Sequence, residues 1–276
     1  MSDDPFLIEG PALINVSGGR TSAYLLWRML QSRGGVLPAD VIPVFANTGK
    51  EMPQTLTFLQ DIADRWTPIR WLEWRAGNTF AEVDYATAAR NGEPFAALIR
   101  QRKMLPYSVG RFCTEQPKIR TMQRFAASLG WTDRVAVLGL RADEAHRVAR
   151  VHARNSLEKD GHHCVMPLHA AGITRRDVHA FWRAQNFDLL LPSIDGRTPL
   201  GNCDLCFLKN TRTLARIIAE NPAAADWWIE QEDAIGATFR HKHRPLPSYR
   251  ELRDAVLNQG SLPLGDDSTT ECFCHD

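Results

Sequence analysis

The sequence predicts an α/β fold: a mostly parallel, twisted sheet with helices on both faces, followed by a helical C-terminal region. Three observations carry this expectation. Short apolar runs at 12–16, 41–46, 69–74 and 135–140 read as buried strands. The first three alternate with segments of helical periodicity at 22–31 and 53–65. The second half of the chain is mainly helical in pattern. Alternation of apolar strands with helices implies parallel strands covered on both faces, because parallel neighbours need a crossover and the crossover helix lies on a face.

The first strand runs into Ser17-Gly18-Gly19, a tight-turn signal, and the helix after it lines up Leu25, Leu26, Met29 and Leu30 on one stripe. Pro53 opens the next helix, at a position where its missing N–H is not needed. The fourth strand ends near Gly139. Residues 76–112 break the rhythm with polar and turn residues and some helical pattern, and read as an insertion over the sheet edge. Thr174-Arg175-Arg176-Asp177 resembles a capping box and opens a helix through 184. Two more helices are expected at 210–220 and 223–234, with Pro222 between them. The expected organisation is an α/β domain over 1–200 with its insertion at about 76–112. A helical region follows over 201–258, then a flexible tail over 259–276 rich in Gly, Pro, Ser, Thr and Asp.

Hydrophobic residues make up 44% of the 276, enough for a substantial core. The 33 Lys and Arg against 32 Asp and Glu give a net charge of +1, so a nucleic-acid partner would need a local basic patch. The run Arg240-His241-Lys242-His243-Arg244 reads as a solvated face, with nucleic-acid contact the other reading. No apolar run approaches the roughly 18 to 20 residues of a membrane span, and no membrane partner is expected. Asp3, Asp4 and Glu9 are unlike a secretory leader, and a cytoplasmic location is expected. Six cysteines in such a chain point to metal or thiol chemistry rather than a disulfide framework.

The richest stretch is Asn15-Val16-Ser17-Gly18-Gly19-Arg20-Thr21-Ser22. Glycines let a backbone approach a phosphate and present its N–H groups, and a following helix adds positive potential. Ser17, Thr21 and Ser22 offer hydroxyls and Arg20 a charge. Neither a Gly-Lys-Ser/Thr loop nor a full Gly-x-Gly-x-x-Gly fingerprint is present. The stretch resembles the Ser-Gly-Gly-x-Asp-Ser loop of PP-loop ATP pyrophosphatases, the adenine nucleotide alpha hydrolases. Thr21 stands where that pattern has Asp, as in the subset grouped with phosphoadenosine phosphosulfate (PAPS) reductases. Three more segments resemble that subset: Asn47-Thr48-Gly49-Lys50-Glu51-Met52-Pro53, Cys113-Thr114-Glu115-Gln116-Pro117-Lys118-Ile119-Arg120, and Leu138-Gly139-Leu140-Arg141-Ala142-Asp143-Glu144.

The resemblance implies that the backbone at Asn15, Val16, Ser17, Asn47 and Thr48 holds adenine and ribose, with Gly49 also in the nucleotide site. Gly18, Gly19, Arg20, Thr21 and Ser22 would hold phosphate, Gly139 and Glu144 would complete the nucleotide site, and Lys118, Arg120 and Arg141 would face the anionic group. The nucleotide would be ATP or PAPS, with Mg2+ beside the phosphates. Cys203-Asp204-Leu205-Cys206 is a spacing that grips a metal or cycles as a redox pair. By the same resemblance Cys113 joins Cys203 and Cys206 around a 4Fe–4S cluster, with zinc the second choice. Phe112-Cys113 replaces an adjacent cysteine pair, so a fourth ligand would come from Cys164, a tail cysteine, a histidine or water. The tail Glu271-Cys272-Phe273-Cys274-His275 resembles that of sulfonucleotide reductases, which makes Cys272 a candidate nucleophile, with Phe273 in the place of a glycine. His162-His163-Cys164 reads as a polar loop or a metal-binding run.

Three functions compete. The first is cleavage of ATP between its α and β phosphates, giving AMP and pyrophosphate, to activate a substrate for sulfur transfer with a sulfur-donor protein or a nucleic-acid acceptor. The second is reduction of a sulfonucleotide through Cys272, resolved by a thioredoxin-like partner. The third is a non-catalytic nucleotide-binding accessory role, which Thr21 in place of Asp favours.

Overall fold

The computed structural model describes residues 4–108, 110–156, 162–194, 198–239 and 247–258. Its sheet has six strands: β1 Ala12–Asn15, β2 Val41–Asn47, β3 Arg70–Arg75, β4 Thr79–Val83, β5 Val135–Val137 and β6 His163–Val165. Their order is β4-β3-β2-β1-β5-β6, and every neighbouring pair is parallel except β3 with β4. The helices are α1 Arg20–Ser32, α2 Pro53–Arg65, α3 Glu93–Arg102, α4 Phe112–Thr114, α5 Thr121–Ser128, α6 Ala145–Asn155, α7 Pro167–Ala170, α8 Arg175–Arg183, α9 Thr211–Glu220, α10 Asp226–Ile235 and α11 Tyr249–Leu257. A π-helical stretch, Glu115–Arg120, joins α4 to α5, and a 3-10 turn, Pro222–Ala225, joins α9 to α10.

The chain winds outward from β1 through β2 to β3, then returns to the other side of β1 as β5. The reversal between β1 and β5 is the topological switch point, where open α/β sheets leave a crevice at the carboxyl ends of their strands. Alternation along β1 fills both faces. Ala12 and Ile14 join the α1, α2 and α8 side chains in the largest core, whereas Leu13 packs with Val44, Leu72, Phe125 and Ala126 under α5. Register places Leu13 opposite Ile42 and Ala136, so β1 is held by neighbours on both edges as well.

Two segments depart from the sequence expectation. Residues 76–112, expected as an insertion over the sheet edge, begin with a strand of the sheet itself. The connection at 76–78 turns through positive φ at Gly77 (78°) and Asn78 (59°), and β4 comes back antiparallel as an edge strand. His163 and Cys164 lie in β6 rather than in a polar loop. The Asn155 side chain fixes that short edge strand, donating to the Cys164 carbonyl at 2.7 Å and accepting its N–H at 3.0 Å. The Thr174–Asp177 capping box forms at the start of α8.

A second core joins Phe95 and Ile99 of α3 to Leu205, Cys206, Phe207 and the buried faces of α9, α10 and α11. Besides α3, which packs on β3, the Cys-x-x-Cys turn ties it to the segment after β2. Glu51 and Cys203 form an antiparallel bridge, and the Asp204 N–H donates to the Lys50 carbonyl at 2.7 Å. Lys50 Nζ lies 2.8 Å from Asp204 Oδ2, and Trp228 Nε1 donates to Asp204 Oδ1 at 2.9 Å. The Lys50 and Asp204 side chains are 8% and 17% exposed, so removing one leaves the other charge largely buried and unpaired. Asp204→Ala is therefore expected to lower the free energy of unfolding by about 3–5 kcal/mol, read from urea denaturation.

Candidate functional site

On the sheet face that carries α5 and α6, a groove of about 390 Å³ runs over β1, β5 and β6. Asn15, Val16 and Ser17 form its wall at the end of β1, and Leu138, Gly139 and Leu140 at the end of β5. Phe45, Ile119, Met122 and Val151 give it apolar walls. Beside Ala46, Thr114, Ala136 and Cys164, the lining carries basic residues: Arg111 and Lys118 on one bank, Arg147, Arg150 and Arg154 of α6 on the other, and Arg134 and His162 at the far end. Among the described lining residues there is no Asp or Glu. The Asn15 Oδ1 atom is buried without a hydrogen-bond partner, an acceptor on the groove wall with no protein donor.

The turn after β1 is pinned by its own hydroxyls. Ser22 Oγ accepts the Ser17 N–H at 3.0 Å, lies 3.0 Å from Ser17 Oγ and donates to the Gly19 carbonyl at 3.0 Å. No side chain caps α1 at Gly19, and the Ala23 N–H bonds the Gly19 carbonyl at 3.1 Å. The amides before Ala23 are those a helix leaves without intrahelical partners, and they carry the positive end of its dipole. Gly18 has φ 79°, and a Cβ there would stand 2.3 Å from Thr55 Cγ2 of α2. A Cβ on Gly19 would meet only Ser17 Oγ, at 3.5 Å.

The structure gives several expected phosphate ligands other tasks. The Arg20 guanidinium grips Asp188 through Nε at 2.7 Å and Nη2 at 2.5 Å, and reaches Thr198 Oγ1 at 3.0 Å and the Leu191 carbonyl at 3.0 Å. It ties Asp188, Leu191 and Thr198 to the start of α1 and does not line the groove. Arg141, 5% exposed, donates to Thr21 Oγ1 at 2.9 Å and to Asp143 Oδ1 at 3.0 Å, while its N–H bonds Glu144 Oε2 at 2.9 Å. Glu144 also holds Arg147. Arg120 is exposed, beside Glu115 and Gln123, because two residues beyond the inward-facing Lys118 is about half a helical turn.

Asn47, Thr48 and Gly49 likewise do not line the groove. Asn47 donates to Glu73 Oε1 at 2.6 Å and accepts the Gly49 N–H at 3.1 Å. Buried Glu51 accepts from the Thr48 hydroxyl at 2.9 Å and from the N–H groups of Thr48 and Lys50, each at 3.1 Å. Lys118 Nζ lies 3.9 Å from Glu51, so this carboxylate seats the lysine at the groove wall. Cys203 Sγ is 3.7 Å from Thr48 Oγ1. Burial foremost, then the Glu51 carboxylate, pushes the Cys203 thiol well above its ordinary value, against the opposing Lys118 charge and Thr48 hydroxyl. Cys113, Cys203 and Cys206 border one apolar cluster. Among the described residues, no set of three or more His, Cys, Asp and Glu side chains is arranged to hold a metal ion. Cys272 lies outside the described residues.

Sequence reasoning passed over Arg111, Arg134, Arg147, Arg150 and Arg154, and read His162 as part of a polar loop or metal-binding run rather than as groove lining. Arg147, Arg150 and Arg154 were legible as one helical stripe, spaced three and four apart. Nothing in the sequence marks Arg134.

The sequence matches no family model. It is similar to the uncharacterized nin region protein ORF290 of Escherichia phage lambda, with 29% identity over 275 residues, covering 96% of this chain and 88% of that protein. Among solved structures it is similar to the phosphate complex of PAPS reductase from Candida auris, at 16% identity and a TM-score of 0.42, covering 66% of this chain and 79% of that one. Among the described residues no helix is long and apolar enough to cross a membrane.

The two glycines separate packing from ligand approach. Gly18→Ala meets both positive φ and Thr55, and a loss of about 1–3 kcal/mol is expected. Gly19→Ala sits in an extended, open position, φ −92° and ψ 159°, and a change within about 0.5 kcal/mol is expected. Urea melts of the two variants check both.

Proposed function

We propose that the chain is an adenine-nucleotide enzyme of the PP-loop, PAPS reductase-like kind, cleaving ATP between its α and β phosphates to activate a substrate. The observation that carries this reading is the uncapped start of α1 at the β1/β5 switch point, opening beside a cation-lined groove. The apolar walls suit a base. Asn15 Oδ1, unmatched in the protein, supplies an acceptor for the amino group of adenine or a ribose hydroxyl. Attack of an acceptor on the α-phosphorus breaks its bond to the oxygen bridging to the β-phosphorus, and pyrophosphate leaves with that electron pair. Lys118 and the amides at the start of α1 lower the cost of the charge gathering on the leaving group, because they are already in place when it forms.

Mg2+ would screen phosphate charge when bound with the nucleotide. The carboxylates near the loop, Asp143 and Glu144, are committed to Arg141 and Arg147, and no step is assigned through the metal. Nor is any assigned through an iron–sulfur cluster or zinc, since the described thiols do not form a chelating set.

A second reading has its own support. A groove without carboxylates among its described lining residues suits a sulfonucleotide taken without metal, reduced through Cys272. Separate incubations of the protein with ATP and with PAPS plus a thiol donor divide the readings. AMP and pyrophosphate from ATP support the first, and sulfite from PAPS supports the second. Nucleotide binding without either product leaves an accessory role and overturns the enzyme. On the first reading, Lys118→Met is expected to slow pyrophosphate release by about 10²–10³-fold with the fold intact by circular dichroism, and Gly19→Val to weaken ATP binding.

A further inference from the structure

Arg134 differs from the other buried arginines at the site. Arg20 has Asp188, and Arg141 has Asp143 and Glu144. Arg134 is 7% exposed, lines the far end of the groove, and has no carboxylate or hydrogen-bond partner for its side chain among the described residues. The neighbour acting on its charge is the thiol of Cys164, while burial lowers its pKa from the ordinary value. A buried cation without a counter-charge is costly, and a bound anion removes that cost.

The position follows from the topology. Arg134 immediately precedes β5, and Leu13 pairs with Ala136, so Arg134 lies at the amino-terminal edge of the sheet, opposite the Ser17 end. Helix α6 follows the end of β5 and packs back along β6. Its Arg147 and Arg154 are therefore separated along the groove by seven residues, about 10 Å of helix rise. Arg154 and His162 line the same end as Arg134.

We propose that this end of the groove is a second anion subsite, built on Arg134 with Arg154 and His162, that takes a phosphate group beyond the one held beside Ser17. The subsite extends the proposed function, since the first phosphate is the nucleotide's own. Its ligand is a phosphodiester on a nucleotide extended by a further residue, or a phosphate on a separate co-substrate. The forked guanidinium suits either, and both place charge where a mononucleotide ends.

Calorimetry with three probes tests this: AMP, inorganic phosphate added to AMP-saturated protein, and the 5′-phosphorylated dinucleotide of adenosine. A separate co-substrate predicts that phosphate binds on top of AMP. An extended nucleotide predicts that the dinucleotide binds more tightly than AMP. In either case Arg134→Met is expected to remove the added affinity by about tenfold or more and to leave AMP affinity within about twofold. Arg134→Met is also expected to melt in phosphate-free buffer at or above the parent temperature, because it removes an uncompensated buried charge, whereas a purely structural arginine would lower it. If Arg134→Met does not fold, Arg154→Gln on the exposed side of α6 serves, with a smaller loss. Equal phosphate and dinucleotide affinities in parent and variants overturn the subsite, as does phosphate that only displaces AMP. Failure of AMP to bind while the phosphate response still depends on Arg134 overturns the nucleotide reading and leaves the subsite standing.

Discussion

The hydrogen bond from the buried Arg141 guanidinium to Thr21 Oγ1 joins the two sides of the switch point, and the local architecture depends on it. One end belongs to the loop after β5 and the other to the first turn of α1. Asp143 and Glu144 sit against the buried Arg141 as counter-charges, and Glu144 in turn holds Arg147 at the groove. The residue at position 21 therefore sets the charge balance. A threonine accepts one hydrogen bond and adds no charge, whereas an aspartate would bring a third carboxylate to a buried arginine already paired with two. Thr21, which stands where the Ser-Gly-Gly-x-Asp-Ser pattern has Asp, is thus matched to the ion network around Arg141.

A similar logic runs on the other side of β1. Glu51 collects the Thr48 hydroxyl and two backbone N–H groups and stands beside Lys118. Hydrogen-bonded on several sides, the buried carboxylate is held in place, and it fixes a lysine that a loop of long, flexible side chains would not position. The Cys-x-x-Cys turn adds to this rather than standing apart. Its Asp204 binds Lys50 and its Cys203 bridges Glu51, so the second core is fastened to the same five-residue segment that seats Lys118. Packing of the C-terminal helices and the position of a groove cation are coupled through residues 47–51. The π-helical turn carrying Lys118 fits the same picture, because a widened turn re-aims a side chain without breaking the helix that follows.

What the sequence determined by itself was the periodic part: parallel strands β1, β2, β3 and β5, helices α1, α2, α8, α9 and α10, and the glycine turn after β1, whose spacing and turn chemistry are local properties. Strands β4 and β6 escaped that reading because they are short edge strands, where neighbouring pairing rather than an apolar pattern makes the strand. The residue types beside the loop were legible as well, but not their orientation. Arg20 points to Asp188, 168 positions away, and Arg141 to Thr21, 120 positions away, and no window of sequence holds both partners. Only the tertiary structure decided that Lys118 lines the groove and Arg120 does not, or that Arg134 lies buried with no carboxylate beside it among the described residues. Charge in a protein takes its meaning from what surrounds it, and burial and counter-charge are supplied by segments that meet only after the sheet has formed.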